Sequence, residues 1–290
     1  MFSSIIKNAY DLHVHVWPEI IPRKYTVQSL AKEMDGKLTW VAVKNHMYPT
    51  IFGKTECVPS SIKVIYSVTL NHPVGGMNAE AVKASAMISH GPIIVRFPTI
   101  HSRIHLRYHS EEIPKEWVGN TQFVSRLSKD LAPVVVIDDS GILTSETMQV
   151  LDTMKTYELI LATWHLDIQE SFQVIDYACR IGINKKIITH PIYHVQDYSI
   201  EDQKRLVDKW CRLELPAAMW YIDHVPIEKM IYQIRNIWVD YYFLSSDSGQ
   251  LFSDSPDQVL NKFCIQLYQS WLTEKEIKTM LENTVQIIES

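Results

Sequence analysis

Cysteine, glycine and positive charge are all in short supply in this sequence of 290 residues, and each shortage excludes a class of protein. The 4 cysteines, Cys57, Cys179, Cys211 and Cys264, form no C-x-x-C pair. That excludes a zinc ribbon and a disulfide scaffold and points to a reducing, cytoplasmic compartment. With 9 Gly and 13 Pro, no Gly/Ser/Pro-rich linker or solenoid repeat divides the chain, so residues 1–290 read as one domain. Lys plus Arg number 28 against 33 Asp plus Glu, a formal charge of −5, so nucleic acid is not an expected partner. No apolar run approaches the roughly eighteen residues of a spanning helix, and Met1–Tyr10 lacks the apolar stretch of a secretion signal, so no membrane is expected either. No candidate strand leads into G-x-G-x-x-G or G-x-x-x-x-G-K-[ST], which removes the usual nucleotide-binding reasons for an open doubly wound sheet.

What the chain does have is material for a core, with 46% hydrophobic and 21% charged residues. Eight short apolar runs read as strands: Ala9–His15, Leu38–Lys44, Ile62–Leu70, Pro92–Phe97, Leu159–His165, Lys186–His190, Leu213–Leu215 and Tyr242–Asp247. Between them lie helical segments with recognisable starts. Asn78 precedes AEAVKASAMIS, Ser145 precedes ETMQVLDTMK, Ser199 is followed by Asp202, Ser255 precedes Pro256, and Thr273 pairs with Glu276 as a capping box. In Ile168–Gly182 the residues Ile168, Phe172, Ile175 and Cys179 fall three and four apart, giving one face for a sheet, and Gly182 is placed to end the helix. This alternation predicts an α/β fold, a (β/α)8 TIM barrel. Thr99–Pro133 is long for a barrel loop, so an insertion after strand four is expected, with Val134–Gly141 as a short extra strand and turn. The aromatic residues are assigned to the core, apart from Trp17 and Trp164, which neighbour candidate site residues and could wall a pocket.

The sharpest local feature is Asp11-Leu-His-Val-His15 at the end of the first strand. Alternation along a strand points His13 and His15 the same way, about 7 Å apart, where they can converge on one cation; Asp11 shares that face one step deeper. Two more strands end in histidine, at His165 and His190, and the last ends in Asp247. In a parallel barrel the carboxyl ends of the strands form the mouth, so all five residues are expected to gather there. His101, His105 and His109, spaced by four, would form one stripe and a second metal constellation if that segment were helical, and serve better as a substrate-facing loop.

Together these positions resemble the metal-dependent amidohydrolase superfamily, over most of the chain from Asp11 to Asp247. The wider wording resembles a little-characterised branch of it, known mainly as a domain of unknown function. It includes Val-Lys-Asn-His46, Leu70-Asn71 before Val74-Gly-Gly76, Ala-Thr-Trp-His165 and Ser-Ser-Asp-Ser-Gly-Gln250. The resemblance implies a barrel with His13, His15, His165, His190 and Asp247 as metal ligands. It supplies no substrate.

One departure stands out. Binuclear members commonly carry a carboxylated Lys, a Glu or a Cys at the end of strand four, where this chain has Val95-Arg96-Phe97. A guanidinium has no lone pair to offer a metal. Lys44, with His46 on the same face, and Glu214 are the available substitutes, and one tightly held metal is favoured over two. The expected activity is hydrolysis of a small molecule, anionic if Arg96 faces it, through a metal-activated water. Asp247 carries the proton, Lys44 and His46 assist, and Arg96, His101, Trp164 and Glu214 contact the substrate. Zinc is the expected divalent ion, with manganese or iron open from the mixed His/Asp set. A metal-dependent decarboxylase or hydratase on a related barrel remains an alternative, as does a noncatalytic metal- or ligand-binding barrel, and a homo-oligomer is left open.

Overall fold

The computed structural model describes residues 2–54, 59, 61–108 and 132–289. Eight strands run parallel in the order of the chain: β1 (Tyr10–His15), β2 (Trp40–Lys44), β3 (Lys63–Thr69), β4 (Ile93–Arg96), β5 (Ile160–Ala162), β6 (Lys186–Ile188), β7 (Arg212–Pro216) and β8 (Tyr242–Ser245). A parallel bridge from Val14 to Ser248, with His15 N donating to Ser248 O at 2.8 Å, brings β8 back to β1 and closes the barrel. The expected TIM barrel is the fold observed, and each expected strand is one of its staves.

Two cores follow from strand alternation. Residues such as Val41, Val68, Val95, Leu161, Leu213 and Leu244 point outward and pack under the helices. Leu12, Ala42, Ile65, Ile94, Ile160, Ala162, Trp164, Ile187 and Phe243 fill the inside. The final helix, Glu274–Glu289, places Ile287 and Ile288 in this inner cluster, and Lys185 Nζ donates to Ile288 O at 3.1 Å. The amino end of the barrel is thereby plugged, leaving the carboxyl end as the mouth. Two residues beyond Ala42, Ile94 and Ile187, on the same inward face, come Lys44, Arg96 and Thr189, all buried.

Capping follows the sequence closely. Asn78 and Ser199 accept from the first-turn amides of their helices, Thr273 and Glu276 form the expected reciprocal pair, and Gly182 ends its helix at φ +80°. Thr144, not Ser145, caps the helix Ser145–Thr156 through its hydroxyl, one residue before the expected start. In the helix Ile168–Ile181 the inward face is Ser171, Val174, Ile175 and Ala178. Phe172 instead lies beneath the Arg205 guanidinium at 4.1 Å, and Cys179 Sγ reaches Lys209 O. Ile175 of the expected stripe is fully buried and Ile168 and Phe172 pack at the edge of the core.

Val134–Gly141 is a turn joined by a single antiparallel bridge, Ile137 to Leu143, and not a strand. The stripe of three histidines does not form either. The helix spans only Arg103–Tyr108, so His101 precedes it and stacks on His72 at 4.9 Å, while His109 lies outside the described residues. Nor does the core absorb every aromatic: Trp210, Trp238 and Trp271 are 82%, 69% and 87% exposed. Among the described residues no helix is long and apolar enough to cross a membrane.

Candidate metal centre

The register of β1 against β2 shifts between Asp11 and Val14. Strict alternation therefore fails there: Leu12 joins the inner core, while the His13 ring packs on Trp164 at 4.6 Å. Asp11 does not share the histidine face. Its Oδ1 accepts from His13 N and Ser246 N, both at 3.1 Å, and so ties β1 to the end of β8.

Three ligand atoms meet where the barrel closes. His13 Nε2 lies 2.9 Å and His15 Nε2 3.0 Å from Asp247 Oδ1. His13 Nε2 is buried yet makes no hydrogen bond, so its approach to Asp247 is a convergence of two lone-pair atoms more than a bond between them. The other ring nitrogens face carboxylates. Glu214 Oε1, on β7, sits 3.0 Å from His13 Nδ1 and also accepts from Ser245 Oγ at 2.6 Å. Glu19 Oε2 stands 3.8 Å from His15 Nδ1, beyond hydrogen-bond reach, and that nitrogen is buried without a partner. Histidines that bind metals carry such carboxylates on the nitrogen facing away from the ion, where they fix the tautomer and the ring's direction.

Glu19 is the residue that sequence reasoning missed. It lies in the loop after β1, held by Arg23 Nε at 2.6 Å, and accepts from His46 N at 3.1 Å. Its spacing of four from Arg23, between Pro18 and Pro22, was the available signal. His46 stacks on His15 at 5.1 Å and is held by Thr99 Oγ1 at 2.8 Å from its Nδ1. His15, Glu19 and His46 form a second convergent group beside the first.

Burial governs the charges. It lowers His15 and His190 to about 4, with Arg23 and Lys44 adding to the effect at His15, and it holds His46 and His165 well below the usual imidazole range. All four are neutral at pH 7, as a metal ligand must be. Burial opposes the charged form of His13 as well, but Asp247 and Glu214 outweigh it and raise its pKa. Asp247 is held well below the ordinary carboxylate range despite its burial, by His13 and His15. The Asp11 carboxyl, buried, rises to about 6.

The remaining expected residues occupy the other side of the mouth. Lys44 Nζ stands 3.5 Å from the Trp164 ring centre and the Arg96 guanidinium carbon 5.0 Å from it. Both cations are buried, which pushes Lys44 well below its ordinary value and Arg96 down to about 10. His165 packs against His190 at 5.0 Å, and its Nδ1 lies 3.1 Å from Nδ1 of His105 on the short helix after β4. His190 Nδ1 is tied to Gln196 Oε1 at 2.6 Å. His165 and His190 thus form a neighbouring pair and do not join the convergent group of His13, His15 and Asp247. Glu214 is turned to His13, Trp17 is 44% exposed, and Trp164 is buried against His13. Trp164, His190 and Asp247 take φ of 55°, 33° and 49°, a conformation that side chains adopt at a cost and that gathers at functional sites.

A divalent cation fits the His13–His15–Asp247 point. Two imidazole nitrogens and one carboxylate oxygen converge, His13 Nε2 is buried without a hydrogen bond, and Glu214 orients His13 through its far nitrogen.

Several solved structures share this architecture. An amidohydrolase from Pseudomonas aeruginosa is 13% identical, with a TM-score of 0.56 over 99% of this chain and 97% of that one. The "probable dipeptidase PvdM" from Pseudomonas aeruginosa is 9% identical, with a TM-score of 0.57 over 97% of this chain and 94% of that one. A Xaa-Pro dipeptidase with bound methionine is 11% identical, with a TM-score of 0.55 over 97% and 75%. At such identities the likeness is one of fold. A search of curated proteins gives no match. The sequence profile of one family, described as a family of unknown function, DUF6282, matches residues 8–214, which include every candidate site residue but Asp247. The chain belongs to the DUF6282 family, and its fold is the barrel of the amidohydrolases.

Proposed function

We propose that the protein is a metal-dependent hydrolase of a small molecule, and the observation that carries this reading is the buried convergence of His13, His15 and Asp247 with Glu214 and Glu19 behind the two rings. A divalent ion there, zinc by the donor set with manganese or iron as alternatives, supplies a nucleophile at neutral pH and a Lewis acid for the scissile group. Asp247 is the proton carrier, because it is the carboxylate that reaches this point and it is ionised at neutral pH. It takes a proton from the attacking water and returns it to the leaving group. Glu214, 3.0 Å from His13 Nδ1, would hold a proton on that nitrogen and leave Nε2 to the ion. To His165, beside His190, we assign the steadying of negative charge on the substrate oxygen.

The test is turnover of amide, ester, lactone and phosphoester substrates by the wild type and by Asp247→Asn, with metal per chain measured in both. Hydrolysis by the wild type that falls at least about 10²-fold in the variant supports the reading. Release of carbon dioxide from an active substrate without bond hydrolysis would establish the decarboxylase instead.

A further inference from the structure

The mouth has two chemically different halves. β1 and β8 bring the convergent donors; β2, β4 and the turn after β5 bring Lys44, Arg96 and Trp164. Lys44 is 1% exposed and, among the described residues, its Nζ makes no hydrogen bond and has no carboxylate oxygen within 4.0 Å. Nζ lies 3.5 Å from the centre of the Trp164 ring. Arg96, 2% exposed, donates from Nη2 to Leu12 O at 3.0 Å, while its Nε is buried without a partner, and so is Trp164 Nε1.

The protein's own carboxylates make their direct contacts elsewhere, although Asp247 and Glu19 act on Lys44, and Glu214 and Asp247 on Arg96, at longer range. Asp247 faces His13 and His15, Glu214 faces His13 and Ser245, and Glu19 faces Arg23 and the His46 amide. Two adjacent buried cations with donors left over are unfavourable unless an anion joins them. We propose that Lys44, Arg96 and Trp164 form a subsite for a carboxylate group of the substrate, seated next to the His13–His15–Asp247 point. The name of the reaction rests on the hydrolase reading; the anion subsite does not. Lys44 Nζ and Arg96 Nε are the unpaired donors offered to the carboxylate, and Trp164 packs His13 at 4.6 Å, so the anchored group lies one ring away from the reacting end.

The experiment is calorimetric titration of the full-length protein with malonate, with malonamide as the uncharged counterpart and inorganic phosphate as the tetrahedral one. Malonate is expected to bind, malonamide not, and phosphate more weakly. Lys44→Met and Arg96→Gln should each weaken malonate by roughly 10- to 100-fold, the loss of one charge-assisted contact. The His13→Ala/His15→Ala variant, which tests the metal reading, should keep most of the malonate affinity. Because Lys44 has no ion-pair partner, Lys44→Met should melt no lower than the wild type. Unchanged malonate affinity in both variants, equal binding of malonamide, tighter binding of phosphate, or a lowered melting temperature for Lys44→Met would each overturn the subsite. Loss of malonate binding in the double histidine variant alone would show that the anion sits on the metal. Absence of metal with the malonate pattern intact would instead remove the hydrolase reading and leave the subsite standing.

Discussion

Gly249 gives the most direct way to move the site without touching a ligand. It has φ +113°, and a Cβ built there would lie 2.2 Å from His15 O, 3.0 Å from His15 C and 3.1 Å from His15 Cβ. Non-bonded carbon and oxygen do not approach below about 3 Å, so Gly249→Ala requires roughly 1 Å of relative movement between the end of β1 and the turn after β8. The backbone angle alone costs on the order of 1–3 kcal/mol and the overpacking a similar amount. Neighbouring bonds resist the shift: His15 N donates to Ser248 O and Lys24 N to Gly249 O, each at 2.8 Å. Displacing His15 by this much should reduce zinc affinity by on the order of 10²-fold, as misplacement at this scale does at reaction sites.

The assay pairs chelator-competition zinc titration with urea unfolding. Gly36→Ala is the control, since Gly36 has φ +70° but nothing within 4 Å of the place a methyl group would take. It should lose about 1–2 kcal/mol of stability and no metal affinity. If Gly249→Ala bound zinc as tightly as the wild type, with His15 undisplaced, this turn would not be what sets the position of His15.

Other perturbations test the shell around the donors and the electrostatics away from it. Glu214→Gln and Glu19→Gln should each lower metal affinity by roughly 10- to 100-fold in a folded barrel, measured by the same competition titration; unchanged affinity in both would deny them a role in orienting the rings. Glu170, buried in the helix after β5, is raised to about 7, chiefly by burial and then by Asp167. The folded state therefore holds this proton more tightly than the unfolded chain. Its contribution is complete below about 4.5 and is lost as pH rises through 7, a decline on the order of 3 kcal/mol. In Glu170→Gln, urea unfolding at pH 5 and pH 8 should show a correspondingly smaller difference.

Much of the fold was legible because barrel strands are short β-branched runs with helices of recognisable start between them. Ile-Ile-Val-Arg96 and Lys-Ile-Ile188 could hardly be anything else in that alternation. His13, His15 and Asp247 were legible for a topological reason: β1 and β8 are far apart in sequence, but closure makes them neighbours. Less could be read where a side chain's direction depends on local backbone. The register shift in β1 moves Asp11 off the histidine face, and the positive φ of Trp164 turns that ring into the barrel next to His165. Glu214 reads as a substrate contact because its strand ends at the mouth; its reach to His13 depends on packing between β7 and β1 across β8. Glu19 lies in a buried loop, where its spacing of four from Arg23 signals an ion pair and not a neighbour of His15.

Whether His13, His15 and Asp247 hold one divalent ion is tested most directly by metal analysis of the purified full-length protein and of His13→Ala/His15→Ala, with the ion located by anomalous diffraction in the wild type. One tightly held ion per chain is expected, bound to Nε2 of both histidines and to Asp247 at about 2.0–2.2 Å, and lost from a folded double variant. A folded double variant with wild-type metal content, or an ion placed away from these three residues, would contradict this assignment.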